Sequence, residues 1–151
     1  ALPIYGKEYR EADSFEAGRQ IVSCYTPIGH FGLSICYDVR FPHLYRQLAR
    51  KGAQILLVHA AFTEVTGRAH WHILLRARAI ETGCFVLAAA QIGTHADGRR
   101  TFGHGLVIAP WGEVIADAGQ QEEAVLMADL NFDDIDKARA AIPSLSNHQL
   151  G

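Results

Sequence analysis

Methionine, cysteine, net charge and long apolar runs are all scarce in this sequence, and each scarcity closes off a class of protein. Its only methionine is Met127, and the 151 residues open on Ala1. A complete translation product ordinarily begins with methionine, so the chain is expected to be part of a longer one. Removal of an initiator methionine ahead of the small Ala1 is the plain alternative. Three cysteines, Cys24, Cys36 and Cys84, are too few and too scattered for a disulfide framework or a zinc site. Free thiols fit a reducing, cytoplasmic setting. A formal net charge of −2 gives no reason to expect nucleic acid or a membrane surface as partner. No apolar run approaches the length of a transmembrane helix, and the N-terminus lacks a signal-peptide pattern.

What is present is an ordinary globular composition, 49% apolar and 20% charged, with enough length for one cored domain. Residues 1–20 are polar and aperiodic and read as loop. "IVSCYT" and "HFGLSIC" read as a hairpin turning at Pro27 and Gly29. Pro42 suits a helix first turn, and "HLYRQLARKG" has helical spacing with Gly52 as its stop. "AQILLVHA" and "CFVLAAAQ" are continuous apolar runs, the mark of strands covered on both faces. Between them "RAHWHILLRARAIETG" reads as a helix closed by glycine. "IGTHADGRRTFGHG" reads as a long loop, and "LVIAP" and "EVIADA" as strands paired across "PWG". "EAVLMADL" reads as a further strand and "DDIDKARAAI" as a last helix stopped before Pro143. Hairpins plus crossover helices predict an α/β mixed sheet with helices packed on it.

One stretch carries chemistry. In "GLSICYDVRFP" a buried strand ends at Cys36, followed at once by Tyr37, Asp38 and Arg40. A thiol at a strand end, before a turn that becomes a helix, sits near free backbone N–H groups, and Arg40 favours its thiolate. A catalytic thiol and a satisfied core thiol both fit these local residues. Arg40 could clamp a substrate carboxylate bidentately or pair with Asp38 or along a helix face. Cys24 and Cys84, in apolar strand-like runs, read as inert core thiols, and Trp71 reads as packing.

"GLSICYDVRFPHLYRQLARKGAQILL", "AFTEVTGRAHWHILLRARAIETGCFVLAAAQIGTH" and "RRTFGHGLVIAPWGEVIADAG" resemble, in order and over nearly the whole chain, the carbon–nitrogen hydrolase (nitrilase) superfamily. "CYDVRFP" is similar to the amidase branches, and "AFTEVTGRAHW" with "RARAIE" to the branch of deaminated-glutathione amidases, close to the omega-amidases. The resemblance implies a nitrilase-like α-β-β-α sandwich with mixed sheets and without its N-terminal part, so that residues 1–151 form the C-terminal part of a single domain. It implies hydrolysis of a non-peptide C–N bond in a small carboxylate-bearing amide, through a thioester on Cys36 and without cofactor. Glu11, in "YREADSF", matches a supporting catalytic glutamate; the Tyr37 backbone N–H matches an oxyanion donor. Arg40, Phe62 and Thr66 match the substrate pocket. The base glutamate and catalytic lysine of the family precede the segment that opens this chain, and Lys7 lacks the lysine's context. Family members pair through helices, so a homodimer or larger homo-oligomer is implied. An N-carbamoyl-amine hydrolase, an aliphatic amidase and a catalytically dead binding or scaffold homologue are the alternatives.

Eight histidines raise a metal reading. His70 and His72 are two apart and face different ways on a helix. His95 and His104 flank the basic loop without carboxylate or thiol company at ligand spacing. No metal site is expected. His72 departs from the family, where glutamate commonly follows the tryptophan. The glycine-rich loop does not fit a phosphate loop, and Arg99 and Arg100 read as a solvated loop or a lid.

Overall fold

The computed structural model describes residues 3–4 and 7–8 as backbone, together with 16, 18–96, 98–121 and 123–147. Two short strands, β1 (Pro3–Ile4) and β2 (Lys7–Glu8), pair antiparallel in the segment expected to be loop. The hairpin follows as β3 (Ser23–Thr26) and β4 (Gly29–Ile35). The Thr26 hydroxyl donates to the Gly29 carbonyl at 2.8 Å and closes the turn. A 3-10 turn over Cys36–Arg40 leads into α1 (Pro42–Arg50), with proline in the first turn where its missing N–H costs nothing. The helix stops before Gly52 at φ +98°, a left-handed region that suits glycine.

β5 (Ile55–His59) and β6 (Phe85–Ala88) flank α2 (Glu64–Thr82). The helix begins a turn earlier than expected. Glu64 supplies first-turn negative charge, and Gly67 is tolerated inside because any side chain there would overlap Phe102. Gly83, at φ +59°, closes α2 with its N–H on the Ala79 carbonyl at 2.8 Å.

The basic loop is not all loop: β7 (Ile92–Thr94) and β8 (Arg100–Phe102) form a small hairpin. Burial of Thr101 and Phe102 against α2 outweighs the glycine and arginine content that argued for loop. β9 (Leu106–Ile108) and β10 (Val114–Asp117) pair as expected. The strand expected in "EAVLMADL" is not formed among the described residues. Val125 and Met127 are 90% and 89% exposed; alternating apolar residues make a strand only beside a neighbour that accepts their hydrogen bonds. α3 (Asp133–Ala141) is the last described helix.

Six strands form one mixed sheet in the order β10-β9-β6-β5-β4-β3. β4, β5 and β6 run parallel at its centre, and the outer pairs are antiparallel. α1 and α2 cover one face. There Leu56, Val58, Val86, Leu106 and Ile108 meet Tyr45, Leu48, Trp71, Leu75 and Ala79, all buried. Each valine, leucine or isoleucine among them contributes about 1.5–3 kcal/mol by leaving water. On the other face a smaller cluster of Ile55, Phe85 and Ile135, with Phe132, seats α3 over one end of the strands. Beyond it Leu33 and Ile35 stand 38% and 68% exposed. No helix of the described residues is long and apolar enough to cross a membrane.

Candidate active site

Three parallel strands end side by side, and in open α/β sheets the crevice beyond such carboxyl ends is where ligands bind. Cys36 stands there, directly after β4, in the register where Ile35 faces His59 at the end of β5. Its backbone is left-handed, φ +47°, a conformation that non-glycine residues rarely take. The turn that imposes it is held from several sides. The Ile35 N–H donates to Asp38 Oδ2 at 2.9 Å, and the Phe41 N–H to the Asp38 carbonyl at 2.9 Å.

Buried Arg78, from α2, donates from Nε to the Val39 carbonyl at 2.9 Å and from Nη1 to Glu81 Oε1 at 2.8 Å. Its guanidinium also lies 5.5 Å from the Tyr45 ring centre. Burial raises the Glu81 carboxyl above its ordinary value, more than Arg78 lowers it. Tyr45 in turn shares a 2.8 Å hydrogen bond with Ser34, whose hydroxyl lies 2.8 Å from the Leu57 carbonyl. Burial pushes the Tyr45 hydroxyl far above its usual range, so it stays protonated. A buried polar network of this kind fixes geometry when its members are satisfied. Sequence reasoning missed Arg78 as a support for the turn. Its signal was an arginine at i, i+3 from Glu81 on an otherwise apolar helix face.

Arg40 ends the same turn. Its guanidinium lies 5.2 Å from the Phe62 ring centre and 5.5 Å from that of Tyr37. Nη1 is 3.4 Å from His70 Nδ1, and buried Nε meets no hydrogen-bond partner among the described residues. Among the described residues no carboxylate pairs with Arg40, and Asp38 is engaged with the Ile35 N–H instead. Phe62 is buried against Trp71, ring centres 4.8 Å apart. Thr66 is half-buried, its hydroxyl 2.8 Å from that of Thr63. The structure thus brings Arg40, Phe62 and Tyr37 together beyond Cys36, with Thr66 one turn into α2. Glu11 lies outside the described residues.

The other thiols divide. Cys84 is buried, bonded by Arg139 Nη2 at 3.1 Å, and burial pushes its thiol up, as suits an inert core cysteine. Cys24 is exposed, not in the core, because β3 is the edge strand of the sheet and Cys24, Tyr25 and Thr26 in succession stand exposed.

A cavity of about 710 Å³ is lined by Leu57, His59, Leu87, Gln91, His104 and Leu126 among others, and not by Cys36. It is the hollow of the open sheet face rather than a closed pocket around the thiol. The histidines also part from expectation. His104 does have carboxylate company, because β10 brings Asp117 to it and to His72. Nothing in local spacing signals this, since His72 and Asp117 are 45 residues apart.

Comparison with known proteins identifies the family. Residues 4–140 match the carbon-nitrogen hydrolase family. The chain belongs to that family. It is 47% identical over 144 residues to a deaminated glutathione amidase of Synechocystis sp., covering 94% of this chain and 53% of that protein. The crystal structure of a Saccharomyces cerevisiae member of branch 10 of the nitrilase superfamily superposes with a TM-score of 0.83 at 35% identity, covering 92% of this chain and 50% of that one. The fold is therefore that of the nitrilase superfamily. The amidase of Nesterenkonia sp. AN1, solved after addition of acrylamide at its active-site cysteine, superposes at 0.72 with 32% identity, covering 88% of this chain and 52% of that one. The chain spans about half the length of the curated relatives it matches.

Proposed function

We propose that the intact protein hydrolyses the C–N bond of a small, carboxylate-bearing amide, with Cys36 as nucleophile. The observation that carries this is the left-handed Cys36 at the carboxyl end of β4, four residues before a guanidinium with no carboxylate partner among the described residues. A thiolate there attacks the amide carbonyl. The tetrahedral oxyanion is met by the Tyr37 N–H, which lies in a first helical turn where N–H groups lack helical partners. As the C–N bond breaks, a proton goes to the departing amine. Water then cleaves the thioester and returns the thiol. Arg40 takes the substrate carboxylate in its planar fork, and Phe62 and Thr66 shape the wall beside it.

In this reading residues 1–151 are the C-terminal part of a single domain. The remainder packs on the open sheet face and supplies the base glutamate and oxyanion lysine, and Glu11 supports them. The names of the relatives, deaminated glutathione amidase and amidase, support this class of substrate. The intact protein is proposed to self-associate through its helices, where Ile73 and Ile80 of α2 and nearby Trp111 lie exposed.

The test is a panel of small amides with and without a distal carboxylate, scored by ammonia release, with mass spectrometry of the quenched enzyme. Expected are turnover of the acids and an acyl adduct on Cys36. Undiminished turnover by Cys36→Ala would overturn the assignment.

A further inference from the structure

We propose that His72, His104 and Asp117 form a binding site for one divalent transition-metal ion of the zinc class. The site is independent of the amidase reading. The three side chains come from α2, from the loop before β9 and from β10, and one ligand atom from each lies within 4.8 Å of the others. Asp117 Oδ2 lies 3.2 Å from His72 Nε2 and 3.1 Å from His104 Nδ1. Four-coordinate zinc, with bonds of about 2.0–2.2 Å, sets its ligand atoms roughly 3.3–3.6 Å apart. Two of the three edges of that figure are therefore already formed. The third closes by rotation of the His72 side chain, which is 34% exposed and has room to turn. Two imidazoles and a carboxylate suit zinc, and leave a coordination position for water.

An incidental surface cluster would leave its side chains loose, and these are held. The His104 ring stacks on buried Phe102, centres 4.3 Å apart and planes at 24°. His72 meets the same ring edge-on at 6.0 Å. The His104 carbonyl accepts the Trp71 indole N–H at 2.8 Å. Asp117 Oδ1 accepts the Gly119 N–H at 2.7 Å, the outer-partner bond that orients a ligating carboxylate. His104 itself is held at φ +55°, one of two described non-glycine residues in the left-handed region. Strain of that kind persists only where the surroundings impose it, and it clusters at functional positions. The bound ion replaces the imidazole–carboxylate hydrogen bonds, each ring keeping its proton on the nitrogen away from the metal. The result is a clamp between α2 and the strand at the sheet edge.

The test is equilibrium dialysis of the intact protein against micromolar zinc, with the metal counted per chain. Visible absorption of the cobalt-substituted protein reports the coordination number. One ion per chain is expected for the native protein and for the control His43→Gln, whose histidine is exposed on α1. His72→Gln and Asp117→Asn should each weaken binding by at least about 100-fold, the upper end of what losing an outer partner costs. Zinc should raise the melting temperature of the native protein and not of these two variants. Circular dichroism checks that both fold. Equal zinc content in the native protein and both variants, or no binding by the native protein at micromolar zinc, would overturn the proposal.

Discussion

The two faces of the sheet are built from the same strands and have met opposite fates. On β5, Leu56 and Val58 are sealed beneath α1 and α2, while Leu57 and His59, alternating with them, look into the open hollow. On β4, Gly32 lets Leu48 and Leu56 close over it, each within 3.1 Å of where a Cβ would sit, whereas Leu33 and Ile35 stand exposed. Alternation is what a strand's pleat imposes. Apolar residues on both sides of the pleat mark a sheet meant to be covered twice. The covered face shows what the core is made of, and the open face shows what it still asks for.

The sharpest way to break this comparison is to express the 151 residues alone. They are expected to release no ammonia from any amide and to aggregate, because apolar sheet surface and the edge of β3, unpaired among the described residues, are left in water. Removing members of a catalytic unit forfeits most of its rate. A monomeric, cooperatively folded and hydrolytic preparation, judged by size-exclusion chromatography and urea unfolding, would abolish the distinction between the faces.

Next in size, Leu56→Ala in the intact protein should cost about 3 kcal/mol by urea unfolding, a transfer loss plus a cavity. Leu33→Ala should cost about 2 kcal/mol or more there if the second face is covered as proposed. A loss below about 0.5 kcal/mol, the usual range for surface positions, would show that this face is solvent-facing in the whole protein.

Arg40→Lys keeps the charge and loses the fork. It should lower kcat/KM for acidic amides by about 30- to 150-fold, equivalent to about 2–3 kcal/mol, and leave neutral amides nearly unchanged. Equal losses on both substrate types would instead assign Arg40 to holding the turn.

The smallest effect belongs to the covered side. Burial raises the Cys84 thiol, so its contribution to stability is fully present below the unfolded thiol value of about 8.5 and is lost as pH rises through the folded value. Melting temperatures should therefore fall above about pH 9 more steeply in the native protein than in Cys84→Ala. Parallel curves would contradict the assignment. Iodoacetamide should reach Cys84 last. Exposed Cys24 competes with Cys36 for reagent, so the Cys36 rate is best read in a Cys24→Ser background.

The elements legible in the sequence were those whose own residues decide them. β5 and β6 are unbroken apolar runs between glycines, and α1 has proline at its start and glycine past its end. β7 and β8 were hidden because a strand of three residues has too little pattern to outweigh neighbouring glycines, and its partner α2 lies far along the chain. "EAVLMADL" misled for the opposite reason: its local pattern is good, and among the described residues no strand lies beside it to pair with. In the site, Cys36, Tyr37 and Arg40 were readable because one turn holds them together. Arg78 and Asp117 were not, since their partners are set by how α2 crosses the sheet and by which strand takes its edge.

The backbone of Cys36 pulls against its side chain. A left-handed residue with a Cβ costs about 1–2 kcal/mol that glycine does not. Cys36→Gly should therefore make a sturdier and chemically silent protein. A library of variants at this position scored for abundance in the cell is expected to favour glycine, and the same library scored for turnover to return cysteine. The disagreement between the two screens would separate what the fold prefers at residue 36 from what the reaction demands.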